Sequence, residues 1–347
     1  MTRKHVLFVT ERWCDCNPQK GLTNSEHNIF GSYETADIGD YSRFHFDEYY
    51  IRNKKKGDNE LLNICRKNKP DMIFLSWANE AYKPKGFNKL IYKFKRLFNK
   101  NTIKPDFYNP QLKTLSVIKN ELKIPISAIW WDSVAPFFIK SVSHLSSFVT
   151  LNIVVDSKSA YKRVGGLDNV LTLWAPQDSR IYFNPEKKRD IEISFAGSVS
   201  EQWPERKSSI DFLKENGINV LQVGGLREKP VPLKDYADNF MRSKISLNFS
   251  KNPDFIHQMK GRVFEVTLCG SLLLEEENPE TSELFTPMVD YVPFKNKNDL
   301  LEKVRYYLNN ENERRKIADN GYKKALTYYN SKEFWKKIFG YVFNTQK

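Results

Sequence analysis

Cysteine is scarce in this sequence. The chain of 347 residues contains four cysteines, Cys14, Cys16, Cys65 and Cys269. Cys14 and Cys16 lie close together, but no second pair follows at the spacing of a structural zinc site. So few cysteines exclude a small secreted protein built on disulfides and indicate reduced thiols.

Long hydrophobic runs are also missing. The apolar run nearest the N-terminus extends only from Val6 to Val9, which is too short for the central region of a signal peptide. No stretch approaches the roughly 18 apolar residues of a membrane-spanning helix. These two absences predict a cytoplasmic protein.

Motifs for the common nucleotide cofactors are absent as well. The first predicted strand, Val6–Thr10, is followed by Glu11-Arg12-Trp13 and not by the glycines of a dinucleotide-binding turn. The P-loop pattern does not occur, and the histidines form no cluster with metal-ligand spacing. We therefore expect no bound cofactor and no metal.

Positive charge is what the sequence has in excess. It contains 55 Lys and Arg against 42 Asp and Glu, which gives a net charge of +13. Anionic lipid, nucleic acid and phosphorylated small molecules all attract such a protein. A general lysine-rich composition would produce the same excess, so charge alone does not identify the partner.

Strands and helices are predicted to alternate along two successive halves of the chain. The predicted strands are Val6–Thr10, Met72–Ser76, Ile126–Trp131 and Leu151–Val155, then Ile191–Ala196, Val220–Val223, Ile245–Phe249 and Ser271–Leu274. Helices at this spacing favour crossover connections and mostly parallel sheets. Leu171–Phe183, with Pro176 and little periodicity, is typical of a linker. The predicted fold is α/β, with two Rossmann-like doubly wound domains facing each other across a cleft.

The most informative segment is 260-KGRVFEVTLCGSLLL-274, a predicted helix that runs into a buried strand. Lys260 and Arg262 in its first turn would present cations and free backbone N–H groups to a diphosphate. Glu265, one turn later, would accept hydrogen bonds from a ribose diol. The alternative is that all three side chains are solvated on the surface of a helix.

Several segments of the second half match one enzyme family in order. They are 193-ISFAGS-198, 243-SKISLNFS-250, 262-RVFE-265, 269-CGSLLL-274, 307-YL-308 and 318-ADNGY-322. From about Asp190 to Tyr329 the chain thus resembles the donor-binding half of GT-B glycosyltransferases, in particular the CgeB-like branch of the glycosyl transferases group 1 family. The first half fits this family only by its alternation of strands and helices.

The resemblance implies a domain arrangement and a reaction. Residues 1–175 would be the acceptor-side domain, 176–330 the nucleotide-sugar donor-binding domain, and 331–347 a terminal helix that crosses back to the first domain. A sugar would pass from a nucleoside-diphosphate sugar, such as a UDP- or GDP-sugar, to a nucleophile. Cations and helix dipoles, without a bound metal, would stabilise the leaving diphosphate.

The resemblance also implies donor-binding residues. The candidates are Gly197, Ser198, Arg206, Asn248, Lys260, Arg262 and Glu265. Glu265 would hold the donor ribose, the cations would contact phosphates near Gly197 and Ser198, and Asn248 would line the pocket. One position departs from the family, because His257 stands where many members have a glutamate that contacts the sugar. The identity of the sugar therefore does not transfer.

Two residues of the first half are candidates for a catalytic base. His27 lies in the loop that faces the sugar in the family, and an imidazole with an ordinary pKa near ~6.5 suits proton transfer. Asp132 follows Trp130-Trp131 at the carboxyl end of a predicted strand. A structural hydrogen bond for His27 and a helix cap for Asp132 are the alternatives. An enzyme that retains configuration would need neither.

The acceptor is the part of the reaction about which the sequence says least. Residues 83–104 contain eight Lys or Arg and no acid, with apolar residues at helical spacing, which predicts a basic amphipathic helix. This helix would dock on the inner face of an anionic membrane, bind DNA as in phage-type DNA base glycosyltransferases, or pack on its own domain. The acceptor would be a cell-surface glycan, a lipid-linked molecule or a protein. A non-catalytic basic binding or coat protein of the same fold is the alternative to an enzyme.

Overall fold

The chain forms two compact units. The computed structural model describes residues 3–76, 109–133, 136–159, 167–185, 187–201, 203–225, 231–252 and 256–344. The first unit comprises Met1–Val155, Ala160–Leu173 and Trp335–Lys347, and the second comprises Asp156–Ser159 and Trp174–Phe334. Each unit contains one parallel sheet.

The sheet of the first unit has six strands. They are β1 Lys4–Thr10, β2 Gly39–His45, β3 Met72–Ser76, β4 Ile126–Trp130, β5 Leu151–Val154 and β6 Val170–Thr172. Their order is β2-β1-β3-β4-β5-β6, and every neighbouring pair is parallel. Strands β3 and β4 are buried along their whole length, as expected of parallel strands with both faces covered.

Helices connect these strands. They are α1 Ser32–Ala36, α2 Phe46–Asn53, α3 Asp58–Asn68, α4 Leu112–Ser116 and α5 Pro136–Leu145, with 3₁₀ turns at Cys14–Cys16, Pro18–Lys20 and Ser146–Phe148 and π-helical turns at Glu26–Gly31 and Val117–Glu121. Asp58 in the first turn of α3 accepts a hydrogen bond of 2.7 Å from the hydroxyl of Thr114 in α4. Lys69 ends α3 with a left-handed φ of 44° immediately before Pro70, which cannot continue the helix.

An aromatic cluster forms part of the core of the first unit, and the C-terminal helix supplies its central ring. Trp335 is fully buried and packs edge-on against Phe8, Tyr33 and Phe74, with ring centroids 4.8 to 5.7 Å apart. Its Nε1 donates a hydrogen bond of 3.1 Å to Oγ of Ser32. Such edge-to-face pairs add to the hydrophobic gain of burying the rings.

The second unit has a five-stranded parallel sheet. Its strands are β7 Ile191–Ala196, β8 Leu221–Val223, β9 Ser243–Asn248, β10 Leu272–Glu276 and β11 Val292–Phe294, in the order β11-β10-β9-β7-β8. Its helices are α6 Pro204–Glu215, α7 Leu233–Arg242, α8 Arg262–Leu268, α9 Pro279–Ser282, α10 Lys297–Asn309 and α11 Glu311–Tyr328. The terminal helix is α12 Ser331–Asn344, and its residues from Trp335 onward belong to the first unit. The side chain of Asn296 caps α10 by accepting from the N–H groups of Asn298 and Asp299.

Both sheets have a switch point where successive strands fall on opposite sides of the first strand. In the first unit β2 lies on one side of β1 and β3 on the other, and in the second unit β8 and β9 flank β7 in the same way. Ligands of open parallel sheets bind at the carboxyl ends of the strands beside such a point. The two places that this rule selects are the ends of β1 and β3, and the ends of β7 and β9.

Most predicted strands are confirmed, with small changes at their ends. The predicted linker Leu171–Phe183 is wrong at its start, because Leu171 and Thr172 belong to the edge strand β6. Three strands were missed, β2, β6 and β11. A three-residue strand shows no periodicity, and β2 is polar along its middle because it is an edge strand.

The predicted basic amphipathic helix at 83–104 lies outside the described residues. Within the described ranges, no helix has both the length and the apolar character needed to cross a bilayer.

Candidate active site

Arg206 lies at the carboxyl edge of the second sheet and is 5% exposed. It stands in the first turn of α6, which begins with Pro204, and its guanidinium stacks on Trp203 at 4.0 Å from the ring centroid. Its Nη1 donates to the carbonyl oxygen of Ser198 at 2.9 Å, whereas its Nε is buried and has no hydrogen-bond partner in the described part of the chain. Burial and the neighbouring Arg262 lower the pKa of Arg206 to about 9, so it stays charged at neutral pH.

Arg262 brings a second guanidinium to the end of β7. Its Nε donates to Oδ1 of Asn248 at 3.0 Å, and its Nη1 donates to the carbonyl oxygen of Ala196. Gly197 has φ of 151°, and a side chain built there would collide with Nη1 of Arg262. Glycine at this position therefore allows the guanidinium to lie against the turn that follows β7.

A third cation and the shared aromatic rings complete the cluster. Nζ of Lys260 lies 6.0 Å from the ring centroid of Trp203. Phe195 lies 5.3 Å from both guanidinium carbons, of Arg206 and of Arg262. In the described ranges neither arginine forms an ion pair with a carboxylate. Two like charges held together with no carboxylate in direct contact favour the binding of an anion, although Glu276 acts on Arg206 and Glu265 on Arg262 from further away.

Three backbone N–H groups at the start of α8 are already used within the chain. The sequence predicted that unpaired backbone N–H groups at the start of the helix that carries Arg262 bind a diphosphate. In the structure the N–H of Val263 donates to the carbonyl oxygen of Lys260, and the N–H groups of Phe264 and Glu265 donate to that of Gly261. The chain already turns helically upstream of α8 and uses these donors itself. These three N–H groups are therefore not available to a diphosphate, whereas the guanidinium groups are.

Glu265 is buried one turn into α8, with 9% exposure. Its Oε2 accepts a hydrogen bond of 3.0 Å from the hydroxyl of Tyr236, in α7. Burial raises the pKa of Glu265 to about 7, while Arg262 and Tyr236 act in the opposite direction. The carboxyl group of Glu265 is therefore only partly ionised near neutral pH. It belongs to the same unit as the cation cluster.

Gln177 is a polar side chain that sequence reasoning missed. It is 2% exposed, and within the residues described neither of its amide atoms has a hydrogen-bond partner. A Cβ atom built on Gly261 would lie 3.6 Å from Nε2 of Gln177 and 3.4 Å from Oε1 of Glu265, so both groups approach this glycine. An unsatisfied buried amide costs about 1–3 kcal/mol, which a bound ligand would offset. No sequence signal marks Gln177, since polar residues in linkers are usually exposed.

Glu275 is a second missed residue, and it supports the cluster from behind. It is fully buried at the end of β10, and its Oε1 accepts a hydrogen bond of 2.9 Å from Nδ2 of Asn248. Oδ1 of the same Asn248 accepts a hydrogen bond from Nε of Arg262. Asn248 thus links the buried acid to the guanidinium and fixes its direction.

We expect Glu275→Gln to flatten the pH dependence of stability. Burial raises the pKa of Glu275 to about 8, whereas an acid in the unfolded chain titrates near pH ~4.3. The folded state therefore holds the proton that the unfolded state has lost, and the wild-type free energy of unfolding falls as pH rises through this window. Glutamine removes the effect, so the variant should gain about 1–4 kcal/mol relative to wild type between pH 5 and pH 8.

Urea unfolding at both pH values measures this gain. Glu277→Gln, two residues along the chain at an exposed position, is the control and should show no pH-dependent gain. An equal effect of the two variants would contradict the burial of a protonated Glu275.

The two candidate bases lie on separate segments of the first unit. His27 is half-buried in the π-helical turn Glu26–Gly31, and Asp132 is exposed just after β4 with a left-handed φ of 53°. Both residues stay predictions as candidate bases. Among the residues described, no group of three or more His, Cys, Asp or Glu side chains is arranged to hold a metal ion.

Comparison with known proteins agrees with this geometry. Residues 181–340, which contain the cation cluster, match the model of a glycosyl transferase-like family. No curated protein sequence matches the chain.

Solved glycosyltransferase structures are similar to nearly the whole chain. The Anabaena protein Alr3699/HepE in complex with UDP-glucose is 11% identical, with a TM-score of 0.58 over 99% of this chain and 99% of that chain. T4 phage BGT in complex with its UDP-glucose substrate is 13% identical, with a TM-score of 0.57 over 98% and 99%. A glycosyltransferase from Rickettsia africae is 9% identical, with a TM-score of 0.55 over 100% of both chains.

The chain therefore has the GT-B fold, with two Rossmann-like domains. Its residues 181–340 are similar to a glycosyl transferase-like family. The predicted fold class and the resemblance of the second half to glycosyltransferases are both confirmed.

Proposed function

We propose that the protein is a glycosyltransferase that moves a sugar from a nucleoside-diphosphate sugar to a nucleophilic acceptor, without a bound metal. HepE and T4 phage BGT each bind UDP-glucose in their structures, which makes UDP-sugars the first donors to test. In this proposal residues 1–175 are the acceptor-side domain, 176–330 the donor-binding domain, and 331–347 the terminal helix that returns to the first domain.

The observation that supports this proposal most is the pair Arg206 and Arg262. Both guanidinium groups lie at the carboxyl ends of strands beside the switch point of the second sheet, and neither has a carboxylate partner in the described ranges. A donor diphosphate supplies the missing negative charge. Its charge grows as the bond to the sugar breaks, so the same cations stabilise the transition state more than the bound donor.

The remaining donor contacts follow from the positions around this pair. Lys260 shares Trp203 with Arg206 and contributes a third cation. Glu265 accepts from the ribose hydroxyls, and Gln177 supplies a further buried donor and acceptor beside Gly261. Ser198 and Gly197 border the diphosphate.

The acceptor side of the reaction is proposed more coarsely. The excess of positive charge and the basic segment 83–104 support an acceptor at the cytoplasmic face of an anionic membrane, which would make the enzyme a peripheral membrane protein. DNA is the alternative acceptor. Vesicles of anionic lipid and duplex DNA, each with a salt titration, separate the two in a co-sedimentation experiment.

Release of nucleoside diphosphate tests the proposed reaction. The wild-type protein is incubated in EDTA with UDP-, GDP- and ADP-sugars, together with glycan, lipid-linked, protein or DNA acceptors. We expect release from one nucleotide class, at a rate that an acceptor increases. A protein that binds anionic surfaces but releases no diphosphate from any donor would be the non-catalytic alternative.

A further inference from the structure

The first unit contains an acid with one buried oxygen to which sequence reasoning gave no role. Glu11 directly follows β1, and Ser76 ends the neighbouring parallel strand β3. Both residues therefore lie at the carboxyl edge of the sheet, at its switch point. This is the place where open parallel sheets bind ligands.

The two oxygens of Glu11 have different surroundings. Oε1 accepts a hydrogen bond of 3.0 Å from the hydroxyl of Thr23. Oε2 is buried and accepts no hydrogen bond from the residues that the structure describes, although the residue as a whole is only half-buried. Buried carboxylate oxygens without a partner are rare, so Oε2 is available to a hydroxyl group or a proton.

The environment holds this carboxyl group near its titration point at neutral pH. Burial raises the pKa of Glu11 to about 7, and its own backbone N–H, followed by the hydroxyl groups of Thr23 and Ser76, only partly opposes that rise. A general base works best when its pKa lies near the working pH.

The charged neighbours do not neutralise Glu11. Asp47 of α2 raises its pKa a little further, and the Asp47 carboxylate is itself held by the backbone N–H of Arg12 at 3.0 Å. The guanidinium of Arg12 extends to Glu48 at 3.4 Å. His45, at the end of β2, is buried, and burial lowers its pKa, so it is mostly neutral at pH 7.

We propose, on the basis of the glycosyltransferase function above, that Glu11 is the general base that deprotonates the acceptor. The acceptor oxygen forms a bond to the anomeric carbon, and its proton moves to Oε2 of Glu11. The bond from the anomeric carbon to the diphosphate oxygen breaks, and its electron pair leaves with the diphosphate. This single displacement inverts the configuration of the sugar, and Glu11 takes the role for which His27 and Asp132 were candidates.

Glu11→Gln tests the assignment, because glutamine keeps the shape and cannot take the proton. UDP-glucose, UDP-galactose and GDP-mannose serve as donors with water as the acceptor, so no acceptor needs to be known. We expect kcat to fall about 10²-fold or more while donor binding by calorimetry stays unchanged. The wild-type rate should rise with pH as the base loses its proton near pH 7, and this rise should be absent in the variant.

Glu48→Gln is the matched control, since Glu48 is also a partly buried acid at this edge of the sheet. It should retain wild-type kcat and the wild-type pH profile. If Glu11→Gln keeps the wild-type rate and profile, Glu11 is not the base, although the proposed function stands. If the wild-type protein releases diphosphate from no UDP-, GDP- or ADP-sugar, with water or with the acceptors named above, both the base and the function are overturned.

Discussion

Replacing Arg262 by alanine should lower kcat/KM for the sugar donor by about 10²–10³-fold, the usual cost of removing one well-placed donor to developing negative charge. The guanidinium is held by Asn248 and by the carbonyl oxygen of Ala196, so it is already directed before a donor binds. Such preorganised charge costs no reorganisation during the reaction. Steady-state kinetics of diphosphate release, with calorimetry of donor binding, measure how the loss divides between KM and kcat.

Arg242→Ala is the control for this experiment. Arg242 is exposed on α7 and pairs with Asp190 at 2.6 Å, so its loss should leave kcat/KM unchanged and cost little stability. Wild-type kinetics in Arg262→Ala would remove the phosphate assignment of Arg262 and with it much of the proposed site.

Replacing Arg206 by methionine should weaken donor binding and leave the free protein at least as stable. The guanidinium is nearly fully buried without a carboxylate partner among the described residues, and desolvation lowers its pKa. A buried charge without a counter-ion in contact costs desolvation energy in the folded state, and even buried ion pairs are often replaced by hydrophobic residues with a neutral effect or a gain of about 1–4 kcal/mol. The same charge would pair with the donor diphosphate, so we expect donor affinity to fall about 10–100-fold.

Urea unfolding and donor calorimetry of Arg206→Met and Arg189→Met test this prediction, because the two variants should differ in stability. Arg189 is also partly buried, but it donates 2.7 Å to 3.0 Å hydrogen bonds to the carbonyl oxygens of Phe240, Met241, Ser243 and Cys269. Arg189→Met leaves these acceptors unsatisfied and should lose about 2–4 kcal/mol of stability. A large loss of stability in Arg206→Met would show that Arg206 is structural, as Arg189 is.

The sequence predicted the parts of the fold and site that depend on local pattern. The alternation of apolar strands with amphipathic helices predicted two parallel sheets, and the predicted helix ending at Cys269-Gly270 carries Glu265 one turn after Lys260 and Arg262. The segment with Lys260 and Arg262 was recognised from charges beside an apolar run. The spacing along the chain was enough to identify this segment, because Lys260 and Arg262 lie at the start of one helix.

The remaining features depend on contacts between distant segments. Glu11 appeared only as a residue that replaces a glycine-rich turn, and its burial arises from packing against Thr23 and near Ser76. Gln177 belongs to a predicted linker, and only the fold shows that it is buried beside Gly261. The short strand β6 and the polar edge strand β2 lack a periodic pattern. The residues adjacent to these positions in the sequence therefore do not predict their burial or their strand structure.

Calorimetric titration of the wild-type protein with UDP, GDP, ADP and CMP and their sugars, in EDTA, tests the anion site most directly. We predict that at least one nucleoside diphosphate binds without metal, that added salt weakens the binding, and that Arg262→Ala and Arg206→Met each weaken it further. Failure of every nucleotide and every activated sugar to bind the folded protein would contradict a donor site built on these two arginines.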